Sequence, residues 1–531
     1  MRRNVFRACS LLLVLVMLLG IFTACGSSQG SSNTQASDAS KAQTAATTAP
    51  KGPPVELTVE VFDRATPGQT PVDNNYWTKW IQEKFGTPNN INLKFVPCPR
   101  SQEVEKLNVW MAAGQAPDLS LTYDVNVVYN YYKNGGLAEL TDALNQNGPQ
   151  LKEYLKDTLS YGQYDGKQYA IPAKRVMQAQ FGTFIRKDWL DKLGLAMPQT
   201  TEEFYNVLKA FKEKNPGKVD KVVPLSMTND VRWVGQGWFE SFMEPMTDEE
   251  KYVNQYLFLK GYKEGARFLN KMYNEGLISP EFALDKDGKM SDQDITRGVV
   301  GAYQSNYDFA MRVVPGHITN LKKNVPDAQL VPCDPFTNKY TGKHQKRNYD
   351  PTGIRIIVPK SSKHVNEAIK YLNWMANKDV IFFLQNGNEG IGHTLVNGLP
   401  KVLAPKGEQM FDSPQNIDYT LILNGIDLGT KEQNIKVNAM SYPGYEDLYE
   451  SAVKFATTDA YVMPTLPVPV DADAKYGKTL LEKEKEIYAK AITAKPADFD
   501  KVWDSQLQEY LKMGGQEVID QRRAAWKEAH K

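Results

Sequence analysis

The amino-acid sequence predicts an α/β fold, because short strand-like segments alternate with amphipathic helices along most of its 531 residues. Val55 to Phe62 alternates between apolar and polar residues, as in a strand with one buried face, and Asn92 to Val96 is typical of a second strand. Between them, the large apolar residues of Tyr76 to Phe85 recur at helical spacing. A strand, a helix and a strand in this order indicate a sheet covered by helices.

The following elements continue the alternation. A predicted helix begins after Ser101, which can cap it, and ends at Gly114, with apolar residues at i, i+3 and i+7 between them. A turn at Pro117 then leads into a third predicted strand, Leu119 to Tyr123.

Predicted helices dominate the later part of the chain. Thr200 and Glu203 form a capping box in front of an apolar helical stripe that runs to Phe211. A second stripe occupies residues 365 to 375, and residues 478 to 529 contain three predicted helices, separated near Pro496 and near Gly514.

The N-terminus has the pattern of a bacterial secretion signal. Three arginines precede an apolar run from Leu11 to Phe22 of about a dozen residues, shorter than the ~20 that a membrane-spanning helix needs. The run ends at Thr23-Ala24-Cys25, which resembles the lipobox of bacterial lipoproteins. This resemblance implies a signal peptide over residues 1–24 and acyl chains on Cys25. An ordinary secretion signal followed by a chance cysteine is the alternative interpretation.

The segment after Cys25 predicts a tether rather than a domain. Residues 26 to 54 consist almost wholly of small and polar residues and contain no aromatic or large aliphatic side chain. Such a segment cannot bury enough apolar surface to fold, so it is predicted to be a disordered linker. The globular part is therefore expected to begin near Val55, outside the cytoplasm.

Composition excludes several classes of function. With 63 basic and 62 acidic residues and a net charge of +1, the chain has no polybasic stretch that would suggest a nucleic-acid partner. Its five histidines lack zinc-binding spacings, so no metal or cofactor is predicted. Of the four cysteines, only Cys98 and Cys333 fall in the predicted domain, either as a disulfide or as two buried free thiols.

Ordered motifs then resemble a known family. Ala112 to Leu119, followed by Gly135 to Thr141, resembles the Gly-x-x-Pro-Asp signature of family 1 extracellular solute-binding proteins, the receptors of carbohydrate ABC importers. Further segments match the family in order: Asp165 to Pro172, Ile185 to Gly194, Glu275 to Ile278, Gly298 to Ala302, and Glu389 to Ile391. The nearest branch is the Gram-positive lipoproteins that bind oligosaccharides, similar to maltodextrin-binding proteins.

The resemblance implies a two-lobed, type II periplasmic-binding-protein-like fold with a ligand cleft and three interlobe crossings. The expected division gives the first lobe residues 55–175 and 352–462, and the second lobe residues 176–351 and 463–531. It also implies an oligosaccharide ligand, the permease subunits of an ABC importer as partners, a membrane anchor through Cys25, and a monomer.

Candidate binding residues follow from the chemistry of sugars, which combine a rim of hydroxyls with apolar ring faces. In the first lobe, Asp63 with Arg64, and Tyr123 with Asp124, come directly after predicted strands, where α/β proteins bind ligands. The carboxylates could instead be solvated turn residues.

Four further candidates lie later in the chain. Trp233 and Trp238 occupy a Gly-rich stretch without a helical stripe, so that a sugar platform and a core position are both open interpretations. Tyr307 follows a predicted strand at the position where maltodextrin-binding relatives place a stacking aromatic. Glu389 lies in a Gly-rich turn, which it could simply stabilise.

Two other functions remain compatible with the sequence. A secreted glycoside hydrolase would need a pair of carboxylates, which a chain with 62 acidic residues can always supply. No nucleophile elbow, phosphate loop or metal motif supports catalysis, so an enzyme is not predicted. A receptor for a peptide or another non-sugar solute would have the same fold.

Overall fold

The structure of the protein is a computed structural model that describes residues 52–65, 69–254, 256–312, 315–403 and 416–531. The predicted signal peptide, Cys25 and the linker up to residue 51 lie outside the described residues. Within the described ranges, no helix combines the length and the apolar character that a membrane span requires.

The strands run in chain order as β1 Val55–Asp63, β2 Ile91–Pro99, β3 Ser120–Thr122, β4 Gln163–Tyr164, β5 Lys167–Gln168, β6 Ala170–Arg175, β7 Phe181–Arg186, β8 Val223–Ser226, β9 Val300–Asn306, β10 Leu330–Cys333, β11 Lys346–Asn348, β12 Thr352–Ile357, β13 His393–Val396, β14 Leu399–Val402, β15 Leu423–Asn424 and β16 Ala460–Val462.

The first ten α-helices are α1 Tyr76–Ile81, α2 Glu103–Ala113, α3 Val125–Lys133, α4 Thr141–Asn147, α5 Pro149–Tyr154, α6 Lys187–Leu193, α7 Thr201–Lys214, α8 Val231–Val234, α9 Gln236–Phe242 and α10 Asp248–Val253. They are followed by α11 Tyr262–Asn274, α12 Lys289–Arg297, α13 His317–Asn324, α14 Val365–Met375, α15 Lys378–Asn386, α16 Lys431–Ala439, α17 Glu446–Thr457, α18 Asp471–Thr493, α19 Phe499–Tyr510 and α20 Gln516–Ala529.

The first lobe is built on a mainly parallel sheet. Strands β1 and β2 pair in parallel, and a parallel bridge from Val59 to Leu119 joins β1 to the start of β3. Strand β12 lies antiparallel between β3 and β6, and β15 is parallel to β6. Apolar residues on both faces of the sheet are buried under helices, with Trp77, Ile171 and Leu372 at the centre of the larger cluster.

The second lobe has its own sheet, in the order β10-β7-β9-β8. Strands β8 and β9 are parallel, while β7 runs antiparallel to β9. One face packs against α7, α9, α11 and the C-terminal helices, in a cluster that includes Trp238 and Trp503. The other face forms a separate cluster that contains Phe184 and Tyr303.

The chain passes between the lobes at three places. The first passage joins β6 to β7, and the second runs through residues 349–351 into β12. The third passage lies earlier in the chain than the expected boundary between residues 462 and 463. Leu423 still packs in the first lobe, whereas Ala439 and Tyr449 already belong to the cluster around Phe184 and Tyr303. The end of α16 and the buried face of α17 therefore place 439–462 with the second lobe, although residues 352–462 were expected in the first.

Two local expectations are wrong in detail. Gln102, rather than Ser101, precedes α2, because the chain makes a tight helical turn at 100–102. The Gly-rich stretch around Trp233 forms two short helices, α8 and α9, separated by Gly235. Asp230 starts α8, since its side chain accepts a hydrogen bond from the Trp233 amide.

The two cysteines of the globular part are free thiols that are buried in different lobes. Cys98 belongs to the first-lobe cluster and Cys333 to the second-lobe cluster. Of the two alternatives that the sequence left open, the structure shows the unpaired thiols.

A buried acid lies in the first-lobe sheet. Glu60 in β1 is fully buried, and its Oε2 accepts a hydrogen bond of 2.8 Å from the Leu121 amide. Burial raises the pKa of Glu60 from 4.5 to about 7, because the low-polarity interior disfavours the charged form. The folded chain therefore holds this proton more tightly than the unfolded chain does.

Replacing Glu60 by Gln is expected to remove a pH dependence of stability. The stabilisation from protonated Glu60 is complete below pH 4.5 and is lost as the pH rises through about 7, so Glu60→Gln should raise the free energy of unfolding at pH 8 by up to about 3 kcal/mol. Denaturant unfolding at pH 4, 6 and 8 measures this, with the exposed Glu56→Gln on the same strand as control. Parallel pH profiles for wild type and Glu60→Gln would contradict the assignment.

Candidate functional site

The parallel strands of the first lobe end at a common edge, and this edge faces the second lobe. Arg64 follows β1, Arg100 follows β2 and Tyr123 follows β3, while β6 ends in Arg175 and β15 ends in Asn424. The carboxyl ends of parallel strands are the usual place for ligands in α/β proteins.

Side chains at this edge support one another. The Tyr123 ring stacks on Phe62 with centroids 6.3 Å apart, and the Arg100 guanidinium lies 4.6 Å from the centroid of the Tyr123 ring. Arg64 makes two hydrogen bonds of 2.8 Å to the carboxylate of Asp418, so its fork is fixed in a planar pair. The edge therefore presents an ordered aromatic ring among cations.

The facing edge of the second lobe is also aromatic. Strands β8 and β9 end where the antiparallel β7 begins, which brings Phe181, Trp233 and Tyr307 to one side of the lobe. The rings of Phe181 and Trp233 lie 4.5 Å apart, and the Tyr307 and Tyr449 hydroxyls are 3.1 Å apart.

A glycine allows this crowding. A Cβ on Gly182 would lie 2.8 Å from the Cα of Tyr307, so any larger residue at position 182 would push this edge apart.

Tyr349 forms the floor between the two edges. Its ring lies 6.3 Å from that of Trp233 in the second lobe, and the Arg175 guanidinium of the first lobe lies 4.3 Å from its centroid. The Tyr349 amide donates to the Gln178 carbonyl at 3.0 Å, which ties the second passage to the first. One aromatic ring thus contacts both lobes.

A buried ion pair holds the segment that leads into Tyr349. The Arg347 Nε donates to Glu240 Oε1 at 2.9 Å, with side chains only 3% and 0% exposed. The Tyr256 ring lies between two cations, with Arg347 at 4.1 Å and Arg232 at 4.4 Å from its centroid. Arg232 in turn lies 3.4 Å from a Glu484 carboxylate oxygen.

A cavity of about 520 Å³ lies between the lobes next to Arg232, within the range of small-molecule sites. Its walls are polar and mixed in charge. The first lobe contributes Arg100, Glu103, Asp124 and Asn126, and the second lobe contributes Arg232, Tyr256, Asp473, Lys478, Glu484 and Arg522.

A second contact between the lobes joins α3 to the start of α18. The Tyr129 hydroxyl donates to Asp471 Oδ1 at 3.0 Å, and the Lys133 ammonium lies 3.5 Å from the same oxygen. The Asn130 amide reaches the Ala474 carbonyl at 3.4 Å. These contacts join α3 of the first lobe directly to α18 of the second lobe.

Residues 80–381 match the family model of bacterial extracellular solute-binding proteins, which is more than half of the chain. The protein belongs to this family. Its members are binding proteins rather than enzymes.

Individual relatives agree with this assignment. The chain is similar to lipoprotein LipO of Bacillus subtilis strain 168, with 27% identity over 364 residues, 64% of this chain and 68% of LipO. It is 24% identical over 455 residues to the polygalacturonan/rhamnogalacturonan-binding protein YtcQ of the same strain, which covers 83% of this chain and 86% of YtcQ. Among solved structures, the alginate-binding protein AlgQ2 superimposes with a TM-score of 0.64 at 21% identity, over 91% of this chain and 99% of AlgQ2. The fold is that of type II periplasmic binding proteins, as predicted.

For this solute-binding protein, the structure brings several predicted site residues to the cleft edge. Arg64 and Tyr123 are half-buried at the edge itself. Asp63 accepts hydrogen bonds from the Ala65 amide and from Gln69, and Asp124 caps α3 through the Asn126 amide. Asp63 and Asp124 therefore have a structural role in their loops, and Asp124 also lines the cavity.

Trp238 was a candidate binding residue, but the structure shows that it belongs to the core of the second lobe. Its side chain is fully buried, and its ring packs against Phe204 at 5.5 Å and Phe336 at 4.9 Å. Helical spacing in α9 directs Trp238 into the core, whereas Trp233 in α8 lies at the cleft edge. Glu389 is exposed in the turn before the β13-β14 hairpin and does not line the cavity.

Sequence reasoning missed several cleft residues. Arg100 and Arg175 lie at strand ends, which is the same feature that identified Arg64 and Tyr123. Arg100 was missed because β2 was predicted to end at Val96, and Arg175 was missed because β6 was not predicted. The sequence around Asp418 and around Tyr349 contains no local pattern that marks a binding residue. Their positions depend on contacts across the fold, with Asp418 lying 354 residues beyond its partner Arg64.

Proposed function

We propose that the protein captures an oligosaccharide between its lobes and delivers it to an ABC importer. The observation that supports this most directly is the set of aromatic rings at the two edges and the floor of the cleft, Tyr123, Tyr349 and Trp233, which lie among charged hydrogen-bonding groups. A sugar chain offers alternating apolar ring faces and hydroxyl rims, which this arrangement complements.

The names of the relatives support a saccharide ligand. YtcQ is named for binding polygalacturonan and rhamnogalacturonan, and AlgQ2 for binding alginate. Both align with most of this chain, so the same cleft is available here. A solute held between the lobes favours the closed arrangement, because it adds contacts on both sides at once.

The two tryptophans provide a matched test of the platform. Trp233→Ala should weaken binding of an oligosaccharide found by thermal-shift screening by roughly 5- to 150-fold, since it removes a stacking contact of about 1 to 3 kcal/mol. Trp238→Ala should instead lower the free energy of unfolding by about 3 to 5 kcal/mol without ligand, because it empties a core position. Calorimetric titration and melting of both variants separate the effects. Wild-type affinity in Trp233→Ala would remove Trp233 from the site.

We also propose that binding occurs without catalysis. The protein should release every bound oligosaccharide unchanged, because a receptor needs no acid and base flanking a glycosidic bond. Chromatography of the sugar after prolonged incubation with the purified protein checks this. Products that appear with the protein, and that disappear on mutation of an acidic pair in the cleft, would overturn the receptor assignment.

Attachment to the membrane is proposed to depend on Cys25. Cys25→Ser should leave an unlipidated precursor and move the protein out of the detergent-soluble membrane fraction, because the acyl chains supply the anchor. Cell fractionation and mass spectrometry of the N-terminal peptide measure the change, with Cys98→Ser as control. Unchanged membrane attachment of Cys25→Ser would contradict the lipoprotein assignment.

A further inference from the structure

The arginines around the cleft differ in how their charge is compensated. Six of them have a carboxylate partner, and three of these pairs are bidentate. The pairs are Arg64 with Asp418, Arg100 with Glu103, Arg232 with Glu484, Arg312 with Asp308, Arg347 with Glu240, and Arg522 with Asp473. Their charges are therefore largely neutralised within the protein.

Arg175 is different. Its Nε donates to the Thr352 carbonyl at 3.0 Å, and its guanidinium stacks over Tyr349. Among the residues that the structure describes, no carboxylate lies within ion-pair distance of Arg175. The two terminal nitrogens remain available on a half-buried side chain at the cleft floor.

A second arginine adds to this positive charge. Arg355 is 5% exposed, its Nη1 donates to the Gly353 carbonyl at 2.6 Å, and its buried Nε has no hydrogen-bond partner. Burial and the charge of Arg175 both lower the pKa of Arg355. Asp350 is the acidic residue nearby, and its Oδ1 accepts hydrogen bonds from the amide and hydroxyl of Thr352. Arg355 therefore also has no ion-pair partner among the residues that the structure describes.

A guanidinium at a cleft floor needs an anion when the cleft closes, because closure removes water from it. Its planar fork matches a carboxylate better than a hydroxyl. In a uronic acid, the carboxylate projects from the rim of the sugar ring, so a ring beside Tyr123 or Trp233 can present it to the floor between them.

We propose that the solute is an acidic oligosaccharide, and that Arg175 binds the carboxylate of one of its uronic acid residues. This rests on the proposed function as a sugar receptor and names its substrate class.

The test compares charged and neutral forms of the same sugar. Calorimetry would use trigalacturonate and trimannuronate, their methyl esters, and neutral maltotriose and mannotriose. Wild-type protein should bind at least one of the acidic trimers, and esterification of that trimer should weaken binding roughly 10- to 100-fold. Arg175→Gln should cause a loss of similar size for the acid and little further loss for the ester.

Arg523→Gln serves as the matched control. Arg523 on α20 is an exposed arginine whose charge is already paired with Asp520, so its loss should leave affinity unchanged. Melting of each variant identifies any loss of folding, and the ester comparison on wild-type protein does not depend on a variant. Equal affinity for acid and ester, or tighter binding of a neutral trimer, would overturn the acidic ligand while leaving the sugar receptor intact. Failure to bind any trimer, acidic or neutral, would count against both proposals.

Discussion

The buried pair of Arg347 and Glu240 is the interaction on which the cleft most depends. Both charges are out of contact with water, so neither is tolerable without the other, and loss of one partner would leave an uncompensated charge in the core. The Tyr461 hydroxyl also donates to Glu240, at 3.0 Å, which joins β16 to the same centre. Because Tyr349 follows Arg347 by two residues, this pair fixes the floor that both lobes contact.

Strand direction explains why the rest of the site assembles at one place. In the first lobe, β1, β2, β3, β6 and β15 all run the same way, so residues distant in sequence meet at one edge. In the second lobe, Phe181 at the start of β7 lies beside Trp233 and Tyr307, which come after β8 and β9. Each lobe alone presents half of a sugar-binding surface, and the passages of the chain between the lobes align the halves.

The sequence predicted the fold class, the first three strands and the three C-terminal helices, because these depend on local periodicity and on turn residues. It predicted Arg64 and Tyr123 at the cleft edge from their position after strands. It could not separate Trp233 from Trp238, since both lie near Gly235 and only packing shows which ring is covered. It also placed the third passage too late, because the apolar faces of α16 and α17 do not reveal which lobe they cover.

The charge arrangement links solute recognition to closure. Six arginines bring their own carboxylates, so bringing the lobes together around them buries ion pairs rather than isolated charges. Arg175 has no such partner in the described chain, and closing an empty cleft over it would remove water from an unpaired cation at a free-energy cost. A carboxylate on the solute removes that cost. In the proposed arrangement the unpaired charge of Arg175 opposes closure of the empty receptor, and the carboxylate of the solute favours closure of the loaded one, which is the distinction that a transporter must detect.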